Sequence, residues 1–369
     1  MTKVPVCKVL QVVTILDPGG LENFVMNVYR NIDRTKVQFD FLVHRDRRGV
    51  YEDEIERLGG HIYRVPRANP LNPHYFRALD EFFSTHSYDA VHVHLDCMSA
   101  FVLRAARKRD IPIRIAHAHN SSQDKDIKYP IKLACKRLIS RYATHLFACG
   151  EQAGEWMFNG HGFSIIPNAV DLNKFEFDGA VRVGVREELD IPSNALLIGH
   201  VGRFDRVKNH AWIIRVFAEV LKRDSNAWLV LVGDGGLKSN CELLTERLGV
   251  SSHVIFTGIR NDVNSLMSAM DIFLMPSFYE GLPVVLVEAQ ASGLPCLISD
   301  TLPTDCDLSD LITRLSLRSN PSIWASAIEG CVRRSGRSDY VDLLYSRGFD
   351  IGSLSHHLQQ LYLQGESAV

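Results

Sequence analysis

Two successive runs of short apolar segments, each followed by a helix-like pattern, restrict this chain more than any other feature. In the first run, Val9-Leu10-Gln11-Val12-Val13-Thr14-Ile15-Leu16 reads as a buried strand that stops at Asp17-Pro18-Gly19-Gly20. Apolar residues then recur at Leu21, Phe24, Val25, Val28 and Tyr29, the i, i+3, i+4 spacing of one buried helix face. Further strands are expected over 39–43, 61–65, 90–94, 113–116 and 145–149, with helices around 51–58 and 76–83. A connector without clean periodicity covers 174–191. The rhythm then restarts, with strands over 196–201, 228–232, 254–257, 272–275 and 295–299 and helices over 212–221, 243–248, 263–270 and 283–291. Such alternation implies βαβ units and parallel sheets. The expected fold class is α/β, with two Rossmann-like doubly wound domains, 1–172 and 173–351, facing across a cleft. A length of 369 residues suits two domains.

Charge narrows the function classes. The net charge of -2 averages a basic part and an acidic part: residues 1–170 hold 23 Lys/Arg against 18 Asp/Glu, and the remainder 18 against 25. Neither part is basic enough to suggest a nucleic-acid binder. The eight cysteines form no Cys-x-x-Cys pair, and most sit in apolar stretches, as expected for reduced thiols of a cytoplasmic protein. No secretory signal is visible, and no run of about 18 apolar residues exists to span a membrane. Peripheral attachment stays open.

The most informative stretch is Ser277-Phe278-Tyr279-Glu280-Gly281-Leu282-Pro283-Val284-Val285-Leu286-Val287-Glu288-Ala289. Glu280 falls in a loop after a strand, Gly281 permits close backbone approach, and Pro283 suits the first helical position. The amides of Val284, Val285 and Leu286 are then donors at a helix N-terminus, where phosphate is favoured. Glu288 lies about 7.5 Å beyond Pro283 along the helix axis. This pattern fits an elongated ligand with an anionic centre and hydroxyls at both ends. The plainer alternative is a loop carboxylate and a helix carboxylate on a solvated face.

Gly202-Arg203-Phe204-Asp205-Arg206-Val207-Lys208-Asn209 follows the first strand of the second domain. Arg and Lys in such a loop neutralise a diphosphate, although loop cations are commonly just solvated. Gly19 and Gly20 offer a second backbone approach to phosphate. No G-x-G-x-x-G follows the first strand and no P-loop is present, which removes support for dinucleotide binding and ATP hydrolysis. The pairs Asp124-x-Asp126 and Asp305-x-Asp307 occur at chance frequency, so no metal and no cofactor are expected. His92/His94 and His117/His119 have the i, i+2 spacing that puts both rings on one strand face. The first pair is read as structural or polar. The second, in His117-Ala118-His119-Asn120-Ser121-Ser122, ends a strand aimed at the cleft, where an imidazole would bond a sugar hydroxyl or the reacting centre.

In this order, Gly19-Gly20-Leu21-Glu22, His117-Ala118-His119-Asn120, Pro167-Asn168-Ala169-Val170-Asp171, Gly202-Arg203 with Lys208-Asn209, Gly233-Asp234-Gly235, and Glu280-Gly281-Leu282-Pro283 with Glu288-Ala289 resemble the retaining GT-B glycosyltransferases of family 4. The resemblance covers essentially the whole chain, and is strongest to bacterial enzymes of capsular or exopolysaccharide synthesis. It implies a nucleoside-diphosphate sugar donor, with a UDP-sugar foremost, and a glycan or lipid-linked acceptor.

By the same resemblance, Arg203 and Lys208 bind the diphosphate, Glu288 the ribose hydroxyls, and Glu280 faces the donor sugar and reaction centre. The backbone from Gly281 through Leu282, Pro283, Val284 and Val285 to Leu286 contacts sugar and phosphate. Gly233 belongs to the donor site, Ile259 lies near the base, and Gly19 and Gly20 approach the phosphate from the first domain. The cleft histidine is His117 or His119. Ala169 departs from the usual glycine and argues against a left-handed backbone there. A C-terminal helix near 352–369 is expected to pack back on the first domain.

The alternatives to transfer are a GT-B-like nucleotide-sugar epimerase and a non-catalytic nucleotide-binding scaffold. Residues 101–145 hold eleven Lys/Arg against three Asp, with Lys125, Lys128, Lys132, Lys136, Arg137 and Arg141 interleaved with Ile131, Leu133, Leu138 and Ile139. Such a stretch suits an anionic membrane surface, and equally a solvated helix with one apolar face.

Overall fold

A computed structural model of the chain describes residues 5–120, 129–334, 337 and 340–365. The chain forms two compact units, one built from the segment up to Val170 together with that from Asp350 onward, the other from Asp171–Phe349. The expected pair of doubly wound α/β domains is present. Ser121, Ser122, Asp124, Lys125, Asp126 and Lys128, and positions 366–369, lie outside the described residues.

The first unit holds β1 (Cys7–Val13), β2 (Val37–Val43), β3 (Ile62–Arg64), β4 (Ala90–Val93), β5 (Ile113–Ala118), β6 (His145–Ala148) and β7 (Ser164–Ile165). They form one parallel sheet in the order β3-β2-β1-β4-β5-β6-β7. Central β1 is buried along nearly its whole length, because helices cover both faces of a parallel sheet. Its Gln11 stands opposite Phe41 of β2 and His92 of β4. The helix Gly20–Asn31 buries Phe24, Val25, Met26, Val28 and Tyr29. The helix Ile351–Gln364 adds Leu354, Leu358, Leu361 and Tyr362 to the same core. Asp350 caps it by accepting from the Ser353 amide at 2.7 Å, and the Ile351 amide bonds to Val170 O at 3.0 Å.

The second unit holds β8 (Leu197–Val201), β9 (Trp228–Val232), β10 (Val254–Gly258), β11 (Ile272–Met275), β12 (Cys296–Ser299) and β13 (Ile312–Leu315), in the order β10-β9-β8-β11-β12-β13. Phe204, Phe217 and Trp324 fill its core. In both sheets the strand order reverses beside the first strand, between β1 and β4 and between β8 and β11. Open α/β sheets bind ligands outside the carboxyl ends of the strands at such a reversal.

Two local expectations need correction. The segment read as a connector contains the helix Gly179–Glu188, started by Asp178, whose side chain accepts from the amides of Ala180 and Val181. Its inner face carries arginines in place of an apolar stripe. Arg186 is 3% exposed, donates to Ala269 O at 3.0 Å and pairs with Asp271 at 2.7 Å, and Arg182 pairs with the other Asp271 oxygen at 2.6 Å. Second, Pro283 is the N-cap of the helix Val284–Ala291, in extended conformation, so the helix starts one residue later than expected. None of the eight cysteines is in a disulfide. Among the described residues, no helix is long and apolar enough to cross a membrane.

Candidate active site

In the second unit the loop after β8 carries Arg203 and Lys208, and the loop after the neighbouring β11 carries Glu280. Two hydrogen bonds join these loops. The Phe278 amide donates to Val207 O at 2.9 Å, and Asn209 Nδ2 donates to Pro276 O at 3.1 Å. Asn209 has φ +55, a left-handed geometry that asparagine tolerates. Lys208 Nζ then lies 2.7 Å from Glu280 Oε1, with the side chains 19% and 15% exposed.

Arg203 behaves differently. Its side chain is 74% exposed, with Nε donating to Asp205 at 2.9 Å. The other Asp205 oxygen accepts from the Lys208 amide at 3.1 Å. Asp205 therefore sets the loop that displays both cations, a role missed from sequence. Gly233 supports the same loop. At φ +132, a side chain there would collide with the Gly202 carbonyl, and Gly202 N bonds to Val232 O at 2.9 Å.

Gly281 and Leu282, the latter buried, lead from Glu280 into the helix Val284–Ala291. The amides of Val284 and Val285 have no intrahelical acceptor, as at any helix start. The Leu286 amide is already used, donating to Pro283 O at 3.0 Å, so it drops out of the expected donor set. Glu288 is partly buried. Burial pushes its carboxyl up to about 7, with Lys174 pulling the other way. Ile259, 66% exposed, follows Gly258 at the end of β10. Of the two Asp pairs that occur at chance frequency, Asp307 is committed to Arg314 at 2.8 Å.

In the first unit, Gly19 is the N-cap of the helix Gly20–Asn31 with an extended backbone, and its carbonyl accepts from Asn23 N at 2.8 Å. A side chain on Gly20 would meet nothing within 4 Å. His117 lies in β5 and His119 just past its end, both buried.

The pair His92/His94 joins them. His92 Nε2 is 3.1 Å from His117 Nδ1, and His94 Nδ1 is 2.9 Å from His119 Nε2. His92 Nδ1 meets the Tyr362 hydroxyl at 2.7 Å, and His94 Nε2 meets Gln11 Oε1 at 3.0 Å. Gln11 Nε2 completes the circuit to Tyr362 Oη at 3.4 Å. Burial holds all four imidazoles well below their usual range, His119 down to about 3. Nitrogens of His92, His94 and His117 lie within 4.8 Å of one another, a spacing open to a shared ion, but their facing atoms are engaged within the chain of bonds.

Gln11 was not foreseen, although a glutamine inside an otherwise apolar strand was a visible signal. Asp96, just past β4 at the strand reversal, was also missed. It accepts from Asn120 Nδ2 at 3.1 Å, and burial raises its carboxyl to about 6.

Residues 19–169 match the family described as glycosyl transferase 4-like domain, and residues 184–310 match glycosyl transferases group 1. A putative glycosyltransferase of Bacillus subtilis, EpsF, is 38% identical over 93% of each chain. The capsular polysaccharide biosynthesis glycosyltransferase CapH of Staphylococcus aureus is 23% identical over 96% of this chain and 98% of its own. Among solved structures, Anabaena HepE in complex with UDP superposes with a TM-score of 0.80 at 19% identity, covering 97% of this chain and all of HepE. WaaG, a glycosyltransferase involved in lipopolysaccharide biosynthesis, gives 0.73 at 18% identity, covering 97% of this chain and 100% of WaaG. With two parallel-sheet domains, both family matches and a relative of this identity, the chain belongs to the GT-B glycosyltransferases, a glycosyltransferase 4-like part followed by a group 1 part.

Proposed function

We propose that this protein transfers a sugar from a UDP-sugar to a glycan or lipid-linked acceptor, with retention of anomeric configuration, in bacterial surface polysaccharide synthesis. The observation that carries the reading is the grouping of Arg203, Lys208, Glu280 and Glu288 on the two loops and helix beside the strand reversal of the second unit. That grouping suits a nucleoside diphosphate with a hydroxyl-bearing group at each end. The relatives agree in kind. HepE was solved with UDP and with UDP-glucose, CapH is named for capsular polysaccharide, and a 26% identical Escherichia coli relative is a UDP-Gal:alpha-D-GlcNAc-diphosphoundecaprenol galactosyltransferase.

In this reading the second unit binds the donor and the first the acceptor. Negative charge builds on the diphosphate as the anomeric bond breaks. Arg203, Lys208 and the amides of Val284 and Val285 stabilise it there without a metal ion. Glu288 accepts from the ribose hydroxyls, the exposed Ile259 covers the base, and Glu280 with His117 or His119 serves the reacting sugar. Gly19 and Gly20 let backbone approach the phosphate from the first unit.

The protein works in the cytoplasm, resting on the inner face of the membrane through the helix Tyr129–Tyr142, where Leu133, Arg137, Leu138 and Arg141 are exposed. Thermal-shift screening of nucleotide sugars tests the donor, since a ligand of the folded state raises stability by mass action. No shift with any UDP-sugar would sink the reading. Activity surviving chelator tests metal independence, the anomeric signal of the product tests retention, and sedimentation with anionic liposomes tests attachment.

A further inference from the structure

The hydrogen-bonded histidines of the first unit form two arms that both start at Gln11, and a primary amide has fixed polarity: its oxygen only accepts and its nitrogen only donates. Gln11 Oε1 faces His94 Nε2, so His94 carries its proton on Nε2. A neutral His94 is then bare at Nδ1 and accepts from His119 Nε2. His119 in turn is bare at Nδ1. On the other arm, Gln11 Nε2 donates to the Tyr362 hydroxyl, which has one proton and gives it to His92 Nδ1. His92 therefore donates from Nε2 to His117 Nδ1, leaving the His117 proton on Nε2. The two outer nitrogens, His117 Nε2 and His119 Nδ1, are buried, with the Ile166 backbone as neighbour of the His117 ring and the Asn168 side chain as neighbour of His119.

We propose that Gln11 is a positioning residue for the transfer centre: through its amide it makes His119 Nδ1 a hydrogen-bond acceptor and His117 Nε2 a donor. The proposal rests on the reading that these histidines serve the reacting sugar. It also distinguishes the two, since His117 then presents a proton at its outer nitrogen and His119 a lone pair, the latter shared between Asn168 and any hydroxyl that displaces it. All four rings stay neutral because burial penalises the imidazolium, so the polarity set at Gln11 passes through each ring unchanged. The anchor is rigid. Gln11 is 2% exposed on the central strand, and Tyr362 is held in the core of the same unit.

The test uses the full chain with histidine labelled with heavy nitrogen, whose long-range proton–nitrogen correlations separate protonated from bare ring nitrogens. The native protein should show His119 protonated at Nε2 and His117 at Nε2; the opposite tautomer at either ring overturns the proposal. Gln11→Glu supplies two acceptors and no donor, so the Tyr362 hydroxyl turns toward the carboxylate and the His92 arm reverses. His117 should then move its proton to Nδ1 while His119 keeps its own. Unchanged His117 in that variant overturns the proposal, as does a metal ion found held by His92, His94 and His117.

Gln11→Met, close in volume, should lower turnover roughly 10–100-fold, no more than the low end of what a positioned proton-transfer group supplies. UDP affinity should stay unchanged, because the cations lie in the other unit. Equal loss of both, or no loss of turnover, overturns the positioning role. A native protein with these tautomers but no sugar transfer would sink the functional reading alone and leave the proton assignment standing.

Discussion

Lys208 Nζ lies 2.7 Å from Glu280 Oε1, joining the loop after β8 to the loop after β11. Both side chains are largely shielded, so each charge is stabilised in part by the other. In the proposed reading a diphosphate entering the loop gives Lys208 a second anionic partner while Glu280 faces the sugar. Glu280→Ala should therefore cut turnover by at least about 100-fold, the lower end for a group acting in the transition state. UDP affinity should change little. Steady-state kinetics beside calorimetry reads both, and equal losses would make Glu280 a binding residue only.

Arg203 makes its one described ion pair with Asp205 and is otherwise in solvent, so its removal costs the fold little. Arg203→Ala should leave the melting temperature nearly unchanged while weakening UDP binding by about 1.5–3 kcal/mol, the scale of a charge-assisted hydrogen bond. Asp205→Ala should weaken UDP less, because it loosens the loop and keeps the cation. Unaltered UDP affinity in the arginine variant would mean that the phosphates sit elsewhere.

In the proposed reading Glu288 ties donor binding to pH. Its carboxyl is raised from 4.5 to about 7 by burial, so it is protonated over much of that interval in the folded protein. The stability it contributes is full below about pH 4.5 and is lost as pH rises through about 7. Ribose hydroxyls bond more strongly to the carboxylate than to the acid. UDP affinity should therefore rise between pH 6 and pH 8 as Glu288 ionises, and Glu288→Gln should remove that part of the rise. The phosphate's own titration persists in the variant and serves as the reference. A native and variant profile of the same shape would separate Glu288 from the ribose.

The sheets were legible because parallel strands are continuous apolar runs, as in Trp228-Leu229-Val230-Leu231-Val232. The charged loops were legible because Arg203, Lys208 and Glu280 follow such runs at short, fixed spacing. The helix Gly179–Glu188 was not, since periodicity arguments count apolar residues and its buried face is built from Arg182 and Arg186 around Asp271. Nor was the Gln11 circuit. Gln11, His92, His117 and Tyr362 come from three strands and a helix, and only strand register and the return of the last helix bring them together. Pair spacing showed that His92/His94 and His117/His119 each share a face; it carried no information on which strands are neighbours.

That return of the last helix makes the stability of the first unit depend on residues far along the chain. Leu358 is fully buried in the core formed with β1, β2 and the helix Gly20–Asn31. Leu358→Ala leaves a cavity between elements that cannot close on it, at a cost of about 2–5 kcal/mol. The neighbouring Tyr362 keeps its bonds to Gln11 and His92 only while this helix stays docked. The variant should therefore melt well below the native protein and, near its own midpoint, lose sugar transfer together with the histidine hydrogen-bond network. UDP should still bind, since the second unit has a separate core. Scanning calorimetry with and without UDP checks this: loss of UDP binding in step with melting of the first unit would show that the two units do not melt separately.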